Sequence, residues 1–268
     1  ARADDNFFSR LAWVMRPIQT EPDTSEQTAE FGDLLFVQDF AAARTAVLPQ
    51  GLQADIPGLF GRRPGIATFA ADATLLEVSQ PGPPVVFCDP AVTYHPTSGS
   101  DRRRLRFCAV DRDGDQAFEM AYWCITNGQP FTPMMSPLWR DLASPIPYEA
   151  APATARLLSA GLVVSRSPLG AYRLRFAVSE HGPPTVLTIS SDGAMNAETR
   201  ASGGESVDAR TAYFRASDTP LTVTSMGAAI EILSVGEGAV RYRVISTFDP
   251  ETTVRIAVDG DLPGAHRY

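Results

Sequence analysis

Apolar and polar residues alternate with a period of two through much of the later chain. Tyr172, Leu174, Phe176 and Val178 alternate with Arg173, Arg175 and Ala177. Val240, Tyr242 and Val244 alternate with Arg241 and Arg243, and Val254, Ile256 and Val258 with Arg255 and Ala257. Successive side chains of a strand point to opposite faces, so each run predicts a strand with one buried and one wet face. Further apolar runs at 157–165, 185–190, 211–216, 220–225 and 228–235 place about eight strands in residues 153–268, the density of a sandwich or small barrel. The turn at Asp249, Pro250 and Glu251 is expected to join the last two strands as a hairpin.

The earlier half reads the same way with more punctuation. Short apolar runs at 33–40, 43–48, 66–70, 74–78 and 85–88 are separated by proline- and glycine-rich turns. Before them, residues 1–30 read as an arm. Asp5 caps a short helix expected over Asn6 to Met15, whose Phe7, Leu11 and Val14, with Phe8, Ala12 and Met15, form an apolar stripe ended by Pro17. Such a stripe either packs on its own domain or docks elsewhere, and Phe7, Phe8, Leu11, Trp13 and Val14 are then the candidate anchors for a partner protein, a second copy of the chain or a membrane surface. Removing residues 1–18 is then expected to abolish association and spare the fold. Residues 130–152 hold six prolines and read as a stiff connector, with one helical turn over Pro137 to Leu142. The expected organisation is all-β: an arm (1–30), a β-rich domain (31–129), the connector (130–152) and a sandwich-like domain (153–268).

Composition narrows the function classes. The hydrophobic fraction of 44% is that of a packed protein, and no apolar run approaches the roughly 20 residues that span a bilayer as a helix. A net charge of −8 repels a phosphate backbone, so nucleic acid is not an expected partner. All 23 basic residues are arginine. A lysine Schiff base, a lysine general base and a P-loop lysine are therefore excluded. The opening Ala-Arg-Ala resembles the small-residue end left by signal-peptide cleavage, which suggests an extracytoplasmic protein: periplasmic, on the outer-membrane surface or secreted.

The segment 105–125 carries the most chemistry. Two alternating arms flank Asp111, Asp113, Gly114 and Asp115, which predicts a hairpin with an acidic tip. The three aspartates resemble the first acidic positions of calcium loops of the EF-hand type, where hard oxygen ligands converge on one cation. Gln116 stands where the turn glycine belongs and Tyr122 where the bidentate glutamate belongs, and Glu119 is expected to point away from the tip. The alternative is a turn in which Asp and Gly supply tight backbone geometry. The three cysteines are Cys88, Cys108 and Cys124. If Val110 faces Phe118, Cys108 lies opposite Met120 and Cys124 opposite Arg104. That separates the hairpin cysteines by about 14 Å at strand rise, beyond the roughly 7 Å limit for a bridge. A Cys88–Cys108 disulfide is expected, with Cys124 as a buried apolar side chain.

Other candidates are isolated. His95, in an expected loop, His181 and His266 are far apart, and no nucleophile elbow, zinc-helix or Cys-x-x-Cys motif accompanies them. Trp123 reads as core, and Trp139 as an exposed ring suited to stacking on a sugar. Arg62 and Arg63 fall in a turn, and Arg102, Arg103 and Arg104 in a solvated loop. The expected function is a non-enzymatic structural or assembly protein without a cofactor. The alternative is a secreted carbohydrate-binding or carbohydrate-active β protein using Trp139, the loop 192–208 and calcium at Asp111, Asp113 and Asp115.

Overall fold

The computed structural model describes residues 13–56, 65–69, 71–78, 83–90, 93–96, 102–125, 138–167, 170–179, 185–186 and 211–256. Among the described residues the fold is all-β: the three larger sheets are antiparallel, two of them curl into half-barrels, and no helix reaches seven residues. By internal contacts it divides into two compact units. One comprises Ala1–Val14, Ala42–Ala153 and Arg255–Tyr268, the other Met15–Ala41 and Thr154–Val254.

The first unit is built on an eight-stranded sheet. Its order is Leu138–Pro147, Ala117–Ile125, Arg102–Asp111, Val85–Cys88, Thr74–Glu77, Thr45–Val47 and Ala150–Ala151, with Thr93–Pro96 also beside Arg102–Asp111. A two-stranded ribbon of Leu52–Ile56 and Gly65–Phe69 accompanies it. The stripe Phe107, Ala109 and Asp111 faces a core of Leu48, Leu75, Phe87, Phe118, Ile146 and Tyr148. Within it the Phe118 and Tyr148 rings stack at 4.1 Å and Phe87 meets Tyr148 at 5.3 Å. Such pairs contribute about 1 kcal/mol each beyond the area they bury.

The proline-rich connector is thereby corrected in part. Residues 138–147 are a ten-residue outer strand of this sheet, not a helical turn or a spacer. An outer strand tolerates Pro145 and Pro147 because one side of its backbone needs no partner. The register jumps as well: Ile146 pairs with Phe118 but Asp141 with Met120, so residues 142–145 oppose the single residue Glu119. Residues 130–137 lie outside the described set. Arg102, Arg103 and Arg104 stand in a strand rather than a loop, and so does His95, which pairs with Arg103.

The second unit carries most of a seven-stranded sheet, ordered Thr185–Val186, Tyr172–Ser179, Leu158–Arg166, Gln38–Ala42, Trp13–Pro17 and Val254–Ile256, with Thr211–Phe214 beside Tyr172–Ser179. A four-stranded sheet runs Leu221–Ser225, Ala228–Val235, Ala239–Ser246 and Gln27–Glu30. The alternation holds: Leu174, Phe176, Val240, Tyr242 and Val244 are buried, whereas Arg241 is exposed and Arg173, Arg175 and Arg243 are half-buried. Phe40, Phe176 and Phe248 lie 5.5–5.8 Å apart in its core.

Two expectations fail here. The last two strands do not form a hairpin, because Ala239–Ser246 and Val254–Ile256 belong to different sheets. The turn does exist, with Asp249 accepting from the Glu251 N–H at 2.9 Å. Phe248, however, is buried ahead of it and fixed by Gln38, whose Oε1 accepts the Phe248 N–H at 2.7 Å and whose Nε2 donates to the Phe248 carbonyl at 3.1 Å. That amide-to-backbone clamp breaks the strand and sends the chain to the other sheet. The second failure is the helix expected to end at Met15: Trp13–Pro17 is a strand with a neighbour on each side. The 3.6-residue stripe overlapped β-competent residues, and tertiary pairing decided between them. Residues 6–12 lie outside the described set.

Candidate cation site at the hairpin tip

The sequence folds locally into a hairpin because both arms alternate, and the observed register pairs Val110 with Met120, Cys108 with Tyr122 and Arg106 with Cys124. This is two residues off the expected pairing, since the tip takes up more chain than a tight turn. The predicted disulfide is nonetheless present: Cys88 and Cys108 are direct cross-strand neighbours, their Cα atoms 4.0 Å apart. With Arg106 as its partner, Cys124 sits about two residues, roughly 7 Å, along from the position opposite Cys108, and the spacing between the strands carries the pair beyond bridging range.

Asp111 ends the apolar stripe Phe107–Ala109–Asp111 and is fully buried. A buried carboxylate is tolerated only when its oxygens are hydrogen-bonded. Here Oδ1 accepts the Gly114 N–H at 2.6 Å, and Oδ2 accepts the Gln116 N–H at 3.0 Å and the Tyr148 hydroxyl at 2.9 Å. Those bonds fold the tip back over Asp111, with Gly114 at φ +84° and Gln116 at φ +69°. Gly114, misplaced for a calcium loop, is well placed for this left-handed turn. Asp113 accepts from the Asp115 N–H at 3.3 Å and Asp115 from the Ala117 N–H at 2.9 Å, both local Asx turns.

Glu119 completes the cluster, against expectation. Its Oε2 accepts the Arg112 N–H at 2.7 Å, and ligand atoms of Asp111, Asp113, Asp115 and Glu119 lie within 4.8 Å of one another. The hairpin register explains this, since Val110 pairs with Met120 and the next step towards the tip sets Glu119 across from Asp111. Partial burial, with the charges of Asp111, Asp115 and Asp113 behind it, pushes the Glu119 carboxyl above its usual range. Among the described residues, the second oxygens of Asp113, Asp115 and Glu119 have no protein donor. They are the atoms that could hold a hard cation of the calcium type, with water completing the six to eight ligands it requires.

Behind the tip stands a polar strip that sequence reasoning missed. Arg44 grips the buried Glu77 with Nε at 2.9 Å and Nη2 at 2.5 Å, and its guanidinium lies 5.8 Å from the Phe87 ring centre. Burial and the hydrogen bond to Asp111 raise the Tyr148 phenol well above its ordinary value. Tyr148 lies in the stretch read as connector, so no local pattern signalled its role.

The remaining candidates do not join this site. Trp13 is fully buried and Val14 nearly so, packed as part of a strand, which corrects their reading as surface anchors. Phe7, Phe8, Leu11, Arg62, Arg63, His181, His266 and the loop 192–208 lie outside the described residues, as do the side chains of His95, Trp123, Cys124 and Trp139. Comparison with protein-family models, with curated proteins and with solved structures finds no match to this chain.

Proposed function

We propose that this chain is a non-enzymatic structural or assembly protein of an extracytoplasmic compartment, folded as sandwich- or barrel-like domains and working by binding a partner protein or a further copy of itself. The observation that carries the compartment is the Cys88–Cys108 bridge between adjacent strands, since such cross-links persist where the surroundings are oxidising. Binding is supported by large apolar side chains left in water on the described surface, namely Val37, Val47 and Ile245, and by the aromatic leading segment with Phe7, Phe8 and Leu11. Trp13 and Val14 drop out of that surface because their own strand consumes them.

The test is cross-linking of the native envelope fraction, followed by mass spectrometry, with thiols alkylated before lysis. The expected result is an alkylation-resistant Cys88–Cys108 pair and recurrent cross-links to one partner or to the chain itself. Free thiols at both positions, or a chain recovered only as an uncross-linked monomer, would refute the reading.

A further inference from the structure

The run Pro17–Ala43 holds six carboxylates, Glu21, Asp23, Glu26, Glu30, Asp33 and Asp39, and no basic residue. Most of the chain's net negative charge is therefore concentrated in one short stretch. Arg241 neutralises Glu26 and Arg156 pairs with Asp39 at 3.2 Å. Glu21, Asp23, Glu30 and Asp33 have no ion-pair partner among the described residues. Glu21 and Asp23, both exposed, line a cleft of about 250 Å³ within the second unit, whose apolar lining includes Leu35, Phe36, Val37 and Val244. Leu35 and Val244 are buried beneath it, while Val37 is 52% exposed.

Two features select the guest. The cleft is smaller than the roughly 300 Å³ at which small-molecule sites begin, so it suits one long side chain rather than a cofactor. Its lining joins apolar surface to unpaired negative charge. An aliphatic stem with a cationic head matches both, because arginine and lysine lay their methylenes along apolar surface and keep the charge at the polar end. Hydrogen bonds from Ser25 hold the Asp23 carboxyl below its usual range, so that end stays anionic. The site is also braced: the Tyr242 hydroxyl donates to the Leu35 carbonyl at 2.6 Å and lies 2.9 Å from Oε1 of Gln27, and the Thr247 hydroxyl donates to the Thr20 carbonyl at 2.8 Å.

We infer that this cleft is a docking pocket for an arginine or lysine side chain, flanked by apolar residues, on a partner protein. The inference rests on the partner-binding reading above and names the chemistry of the contact.

The experiment titrates the full chain by calorimetry with a capped heptapeptide carrying one arginine among valines and threonines. The same peptide with citrulline in place of arginine, and free arginine amide, serve as comparisons. The variant joins Glu21→Gln with Asp23→Asn, both of which keep an acceptor and remove a charge. A second variant, Val37→Arg, fills the apolar side from an exposed position and repels a cationic head. The expected result is saturable binding of the arginine peptide, weakened at least tenfold by citrulline, by the double variant and by Val37→Arg. Free arginine amide should bind at least tenfold more weakly than the peptide. Equal binding of the citrulline peptide, indifference to the double variant, no binding at millimolar peptide, or free arginine amide matching the peptide would each overturn the inference. Those outcomes leave the envelope cross-links untouched, so failure here is distinguishable from failure of the broader reading.

Discussion

The Tyr148 hydroxyl donates to Oδ2 of Asp111 over 2.9 Å, joining residues 37 positions apart. Tyr148→Phe removes that donor and leaves the ring stack with Phe118 in place. A hydrogen bond to a buried charge contributes about 2 kcal/mol, so the variant is expected to lose about that much at pH 7 in urea denaturation. The pH dependence has a definite sign. The folded phenol titrates above its unfolded value, so the stability it contributes is complete below about pH 10 and is lost as pH rises towards the raised value. The phenylalanine variant has no such loss. The gap between the two proteins should therefore narrow above pH 10, and a constant gap through that range would show that Tyr148 does not couple to folding.

At the tip, the four carboxylates should answer differently to loss of charge. Asp113→Asn keeps the bond from the Asp115 N–H and removes one of the charges raising the Glu119 carboxyl. A raised carboxyl works against the fold at neutral pH, so relief there should leave stability within about 0.5 kcal/mol or slightly higher. Asp111→Asn instead turns an amide N–H₂ toward the N–H groups of Gly114 or Gln116, at an expected cost of about 2–3 kcal/mol. NMR titration of Glu119 should show a lower pKa in Asp113→Asn. Thermal melts ranking the two variants equally would contradict this division of labour.

Gly161 is fixed by a close approach. A Cβ built there would collide with the carbonyl oxygen of Phe36, on a segment that also bonds Leu35 N–H to the Leu162 carbonyl at 2.8 Å. Gly161→Ala must displace backbone, and a loss of about 3 kcal/mol is expected by chemical denaturation. A near-neutral result would mean that the 34–36 segment yields freely.

The hairpin between Leu221–Ser225 and Ala228–Val235 turns on Met226 and Gly227, at φ +51° and +81°. Two-residue hairpin turns with both central residues left-handed favour Asn-Gly, and methionine there is strained. Met226→Asn should stabilise the protein by about 1 kcal/mol in thermal melts; no gain would indicate that the methionine side chain makes offsetting contacts.

How far the sequence could be read depended on the range of the forces involved. Alternation in Leu174–Phe176 and Val240–Val244 reports burial of one face, a local signal, and it was legible. So was the Cys88–Cys108 pairing, although through a hairpin register two residues in error. The sheet switch at Phe248 was not legible, because it depends on Gln38 across 210 residues. Glu119 escaped because the same two-residue register error moved it away from the position opposite Asp111, and Tyr148 because it carries no pattern of its own. The acidic run Glu21–Asp39 was visible as composition, but only the fold shows which of its charges lack a partner.

The strand Trp13–Pro17 changes what truncation should do. Trp13 and Met15 are fully buried, and the strand has a neighbour on each side, Gln38–Ala42 and Val254–Ile256. The Ala43 N–H bonds to the Val14 carbonyl at 2.8 Å and the Ile18 N–H to the Asp39 carbonyl at 2.7 Å. Burying a tryptophan and a methionine contributes several kcal/mol, a large share of the roughly 5–15 kcal/mol that holds a domain together. Deleting residues 1–18 is therefore expected to abolish cooperative folding instead of sparing it, and lost association in that variant would say nothing about docking. Deleting residues 1–12 keeps the strand and should preserve a single cooperative transition by circular dichroism. Only this shorter truncation separates the part of the leading segment that folds from the part proposed to bind. A cooperative melt in the 1–18 deletion would show that the interior strand is dispensable.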